Sequence, residues 1–169
     1  MKTIFPLGYS SIIPRVVFVV AAIIINASAA EPEVSTRIYI QKVIDDATGR
    51  NLQLISVGVH ACPPGASQFV VVAHTSRKAI GHKSDEREDR AAIQHHKIGG
   101  PNLLEGHIYD VTVPFDDASG RPIGALAIHV KPAASAGDPV AEARALALKF
   151  GKELSGFVPS NAAMFEKTE

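Results

Sequence analysis

"YDVTVPFDDASGRPIGALAIHV", Tyr109 to Val130, reads as two strands and the turn between them, and its reading decides the class of the chain. Apolar residues alternate with polar or small ones on both sides of "DDASG", residues 116–120, a cluster of turn formers that ends in glycine. With their flanks, the strands run from Glu105 to Phe115 and from Arg121 to Lys131. Pairing Asp116 with Arg121 sets Val113 opposite Gly124, Val111 opposite Leu126 and Tyr109 opposite Ile128. The other face then carries Ile108, Asp110, Thr112, Ala125, Ala127 and His129.

A second hairpin lies upstream. From Leu52 to Cys62 the chain alternates again, with Ile55, Val57, Val59 and Ala61 on one face and Leu54, Ser56, Gly58, His60 and Cys62 on the other. Pro63-Pro64-Gly65 ends the strand, because two prolines lack the backbone donor and glycine favours turn dihedrals. A return strand, Gln68 to Thr75, with Cys62 opposite Gln68, sets His60 against Val70, Gly58 against Val72 and Ser56 against His74, so that both histidines share a face.

Helical spacing predicts an amphipathic helix over Glu33 to Asn51 and a last helix over Asp138 to Leu154, whose Val140, Ala143, Leu146, Ala147, Phe150 and Leu154 form an apolar stripe. Between the hairpins a short helix starts at Ser84, which is expected to accept from the Arg87 amide, and ends near His95. "KIGGPN" then reads as a loop, and one more strand has room around Lys78 to Lys83. Phe157 and Phe165 are expected to pack the tail onto the body. Four or five antiparallel strands flanked by N- and C-terminal helices make an α+β domain.

The first thirty residues read as a signal peptide. Lys2 and Arg15 are their only charges, Val16 to Ile25 is continuously apolar, and Ala27-Ser28-Ala29-Ala30 supplies small residues for cleavage. The apolar run falls short of the roughly 20 residues that span a bilayer. A single domain over residues 31–169, periplasmic or secreted, is the consequence. It carries 15 Lys and Arg against 17 Asp and Glu, a balance that offers no basic footprint for nucleic acid. Its one cysteine, Cys62, has no intramolecular disulfide partner, so the core must hold the fold. Cys62 itself could be a reactive thiol, an intermolecular bridge or a small buried apolar residue.

The hairpin resembles the paired strands of PAS-like extracytoplasmic sensor domains of the single Cache type, in which a proline, a hydrophobic residue and "DxxGxxIG" recur. "HACPPGASQFVVVAHTS" followed by "AIGHKSDEREDR" is similar to the core strands and "IGxKxD" loop of small exported proteins with that fold, and "ALKFGKELSGFVPSNAAMF" to their closing helix. The likeness covers about residues 34 to 166. It implies that a small molecule is held between one sheet face and the loops over it, and that the bound state passes to a signalling partner.

The candidate ligand-binding residues follow from that face. Ser56, Gly58, His60 and His74 share a face in the first hairpin; Asp110, Thr112 and His129 share a face in the second, beside Tyr109, and the sequence does not determine whether the two sets join on one side. Small Gly58, Ala125 and Ala127 leave room, and Asp110 and Thr112 suit an amine or hydroxyl. Lys83 and Asp85, in "IGHKSDE", are expected to bracket the mouth.

Two other readings stand beside this one. Seven histidines suggest a haem- or metal-binding exported protein, although no His-x-x-x-His or His-Glu-x-x-His spacing occurs. A ligand-free protein-interaction module is the third reading. The chain has no Gly-x-Ser-x-Gly elbow, phosphate loop or Gly-x-Gly-x-x-Gly fingerprint, so it is expected not to be an enzyme and to need no cofactor.

Overall fold

The computed structural model describes residues 38–85 and 87–168. The expected signal peptide and the expected helix start near Glu33 lie outside the described residues. Among the described residues no helix is long and apolar enough to cross a membrane.

The elements follow in the order α1 (Tyr39–Arg50), β1 (Leu54–Ala61), β2 (Val70–His74), α2 (Glu88–His95), β3 (Gly99–Leu103), β4 (Tyr109–Asp116), β5 (Pro122–Val130), α3 (Pro139–Phe157) and α4 (Asn161–Met164). The strands form a single sheet in the order β2-β1-β5-β4-β3, antiparallel throughout. This is the expected α+β architecture with five strands. Its long-range joint is the β1–β5 pairing, which sets the two hairpins side by side.

The hairpin of β4 and β5 pairs two residues away from the expected register. Phe115 faces Gly124, Val113 faces Leu126, Val111 faces Ile128 and Tyr109 faces Val130. An even slip keeps each side chain on its expected face, so the face assignments survive the register error. The turn explains the slip. The Asp117 carboxylate accepts from the Ser119 amide and hydroxyl and from the Arg121 amide and Nε, while the Asp117 amide donates to the Arg121 carbonyl. The Ser119 hydroxyl, helped by Arg121, holds this carboxyl well below the usual carboxylate range. A register irregularity between Phe115 and Asp116 absorbs the extra residue.

Similar irregularities correct the first hairpin. One between Leu54 and Ser56 turns Leu54 inward at 4 % exposure and leaves Ile55 outside at 39 %, the reverse of the expected alternation. Another, between Val59 and His60, puts His74 opposite Gly58 rather than Ser56.

The fifth strand lies elsewhere than expected. Residues 78–83 hold the end of a short 3-10 turn and a single bridge, Val70 with Lys83, whereas "GGPNL" pairs with β4 as β3. Local propensity misleads here because the pairing needs what glycine permits. Gly100 has φ +72°, and a Cβ there would lie 2.5 Å from the Asp110 carbonyl oxygen. The ladder stops at Thr112, since Pro114, the next residue with its nitrogen on that side, has no N–H to give.

The core lies on one face of the sheet. Val57, Val59, Val111, Val113, Phe115, Leu126 and Ile128 pack against Ile40 and Ile44 of α1 and Ala147, Phe150 and Leu154 of α3. Each large buried side chain contributes roughly 1.5–3 kcal/mol. Gly151 brings α3 close, since a Cβ there would meet Val113 Cγ2 at 3.0 Å. Asp138 caps α3 by accepting from the Val140 and Ala141 amides. Val140 of the expected stripe is exposed, as is Phe157, whose carbonyl accepts from the Tyr39 hydroxyl; Phe165 does pack on the core. Phe115→Ala, at a fully buried site, is expected to lower the unfolding free energy by about 3–5 kcal/mol in a denaturant titration; a loss under about 1 kcal/mol would contradict this packing.

Candidate functional site

The opposite face of the sheet is polar, and α2 lies across it. Ala92 of α2 is fully buried there. The helix is set by Asp85, whose Oδ1 accepts from the Arg87 and Glu88 amides at 2.7 Å each. Those two bonds hold the Asp85 carboxyl below its usual range. Ser84, the expected cap, is used otherwise: its Oγ lies 3.0 Å from His60 Nδ1. A serine and an aspartate side by side both suit an N-cap, and only the direction of the incoming chain decides between them.

This placement delivers Asp89 onto His60. Asp89 Oδ2 accepts from the Asp85 amide at 2.6 Å and stands 2.7 Å from His60 Nδ1, with side-chain exposures of 4 % for Asp89 and 12 % for His60. Next to His60, Gly58 carries no side chain, and the His60 and His74 rings close over it: a Cβ at Gly58 would lie 2.8 Å from His74 Cδ2 and 3.4 Å from His60 Nε2. His74 Nδ1 accepts from the Ser76 amide at 2.8 Å. Burial lowers the His74 pKa, and the nearby His129 and His60 add to that effect.

The row beyond Gly58 holds Ser56, His129 and Asp110. Ser56 Oγ lies 3.2 Å from His129 Nδ1. His129 Nε2 stands 3.5 Å from Asp110 Oδ1, close enough for attraction but not in hydrogen-bond geometry, so that this buried oxygen has no hydrogen-bond partner among the described residues. Burial raises the Asp110 pKa; His129 and His60 oppose the shift, while Glu88 and Asp89 reinforce it. Thr112 is buried beside them on β4.

The expected site residues thus divide. His60, His74, Asp110, Thr112 and His129 come to the polar face, three histidines with two of the expected polar partners. Tyr109 does not: it is buried in the core on the other face, as strand alternation from Asp110 requires. Lys83 and Asp85 are exposed and line an adjoining cleft of about 410 Å³ with Ser67, Gln68, Arg90 and Gln94, which meets the histidine face through Ser84 and through the Asp85 amide on Asp89. Asp89 escaped the sequence reading, because a helix-start carboxylate looks the same whether solvated or buried. Cys62 is half-buried, with its thiol directed at the Ala66 carbonyl, 3.1 Å away. A further cleft of about 550 Å³, between α3 and the end of β4, is lined by Val113, Pro114, Asp116, Leu148 and Gly151 and had no sequence signal. Among the described residues no three His, Cys, Asp or Glu side chains are placed to hold a metal ion.

No protein-family model and no curated protein matches this chain. Solved structures similar to it include a type II free methionine-R-sulfoxide reductase from Thermoplasma acidophilum, at 17 % identity over 76 % of this chain and 94 % of that one, with a TM-score of 0.46. A putative GAF sensor protein from Burkholderia vietnamiensis matches at 17 % identity over 79 % of this chain and 82 % of that one, with a TM-score of 0.48. The likeness goes no further than the fold, an α+β domain with a five-stranded antiparallel sheet and flanking helices; the single Cache type is not distinguished. The expectation that the chain is not an enzyme does not stand, because one of these similar chains is a reductase. At this distance neither activity carries over to the present chain.

Two predictions follow from the electrostatics. Because the folded state raises the Asp110 pKa, stability falls as pH rises from about 3.9 through the folded value, so Asp110→Asn is expected to raise the melting temperature at neutral pH and to lose that advantage in acid. The His74 pKa is lowered, so the unfolded chain takes up that proton first and stability is lost as pH drops below about 6.5. In His74→Gln the fall in melting temperature between about pH 7 and pH 5 should be smaller than in the native chain; an unchanged fall would refute the assignment.

Proposed function

We propose that this chain is an exported, periplasmic or secreted binding domain of the PAS-like class, in its single Cache form, which holds a small organic ligand on the polar face of its sheet and passes the bound state to a protein partner. The observation that carries the reading is Asp110 Oδ1, buried without a hydrogen-bond partner between His129 and the acidic start of α2. An unsatisfied buried acceptor costs about 1–3 kcal/mol, and a ligand that donates an ammonium or hydroxyl hydrogen there recovers it. Ser56 and His129 stand beside that oxygen and supply further polar contacts. Export rests on the leader-like first thirty residues, and the signalling role on the family resemblance.

Thermal unfolding of the purified protein against amino acids, organic acids, purines, haem and divalent metals tests the reading. A true ligand at about 100 times its dissociation constant adds about 2.7 kcal/mol of apparent stability, a shift of several degrees. The expected result is stabilisation by an amine- or hydroxyl-bearing organic molecule that is abolished in Asp110→Asn. No stabilisation by any organic class, or stabilisation that persists in Asp110→Asn, would remove the basis for the proposal.

A further inference from the structure

The cleft of about 550 Å³ beside the end of β4 exists because the β3 ladder stops early. β3 reaches only to Thr112, since Pro114 has no N–H to give, and the last residues of β4 have no strand neighbour on that edge. α2 ends in the left-handed His96, at φ 49°, shortly before Ile98, and α3 supplies Leu148 and Gly151. Ile98, Val113, Pro114 and Leu148 give the cleft an apolar lining, with Leu148 42 % exposed. Two carboxylates also line it. Asp117 is fully engaged, its oxygens accepting from Ser119 and Arg121. Asp116 is not: its Oδ1 is buried with no hydrogen-bond partner among the described residues, and His96 Nδ1 stands 4.0 Å from it, beyond hydrogen-bond reach. The Asp116 side chain is nevertheless 32 % exposed, through its other edge, so a carboxylate hydrated on one side only opens onto the cleft.

We propose that this cleft binds a small primary amine whose apolar body is about the size of an aromatic ring, with the ammonium on Asp116 and the body against Ile98, Pro114 and Leu148. Clefts of roughly 300–1,000 Å³ with apolar walls and a few fixed polar groups take molecules of this kind. The ammonium donates to the open edge of the carboxylate and supplies the counter-charge it lacks, an attraction strengthened by the partial burial of Asp116. Pairing with Pro122 and the braced Asp117 turn fix the position of Asp116 before any ligand arrives. Lys152 and His96 line the cleft too, and their positive charge, permanent on Lys152 and acquired by His96 in acid, opposes the amine. An anionic ligand in the same place meets the like charges of Asp116 and Asp117 and is disfavoured. The site stands apart from the proposed ligand site on the polar face: Asp116 lies six residues beyond Asp110 on β4, roughly 20 Å along the strand.

The test titrates the unmodified full-length chain near neutral pH with 2-phenylethylamine, followed by amide proton–nitrogen NMR. The neutral 2-phenylethanol and the anionic 3-phenylpropionate carry the same body and serve as comparisons. The amine should shift amides around Ile98, Asp116 and Gly151 and bind about tenfold more tightly than either counterpart, the worth of one charge-assisted hydrogen bond. Asp116→Asn should weaken the amine about tenfold, and Leu148→Lys, which places a cation at an exposed position of the same cleft, should weaken it at least as much. Lys152→Met should tighten it about threefold. Melting temperatures without ligand establish that each variant is folded, and Leu148→Lys carries the test if Asp116→Asn is not. Equal binding of the three probes, shifts centred on Asp110 and His129, or binding that folded variants leave unchanged overturns the proposal, whatever the outcome for the ligand of the polar face.

Discussion

A Cβ at residue 124 would run into the backbone oxygen of His60, so the two hairpins close against each other only over glycine. That contact lies at the end of the β1–β5 ladder, where His60 pairs with Ala125. Everything else in the sheet hangs on this joint. It makes β5 a central strand, held by β4 on one side and β1 on the other, and it converts two local hairpins into one surface with a core face and a polar face. A bulkier residue would separate the backbones and with them the alignment of His60, His129 and Asp110.

The two faces are stabilised by different physics. On the core face the area removed from water sets the energy, and no partner needs to be exact to within an ångström. On the polar face the contacts are directional: Asp85 caps α2, α2 presents Asp89, Asp89 holds His60, and His60 faces His74 across Gly58. The chain of contacts ends in groups left incompletely satisfied, notably Asp110 Oδ1. Retaining such a group costs stability, and the proposed ligand site is built on it.

Much of the fold was legible. The period-two patterns around Val111 and Val57 announced two hairpins; the faces of the second came out right although its pairing was two residues off, because strand alternation is indifferent to an even slip, while in the first the irregularity after Leu54 exchanged the faces of Leu54 and Ile55. β3 was invisible because glycine, proline and asparagine carry no strand signal; its pairing draws on β4, not on its own side chains. The site was half legible. Alternation grouped His60 with His74 and Asp110 with Thr112 and His129, the β1–β5 pairing joined the two groups on one side, and the inclusion of Tyr109 ran against that same alternation.

By itself, the sequence determined the α+β class, the number of hairpins and most of the residues that face the core, since hydrophobic periodicity is a local property that each segment carries on its own. Tertiary structure decided the registers, the fifth strand and the burial of Asp89. These depend on distances between segments far apart in the chain: 29 positions separate His60 from Asp89, and 64 separate it from Gly124. A carboxylate or a glycine looks the same in sequence whether it meets water or another backbone, and only the folded arrangement sets what surrounds it.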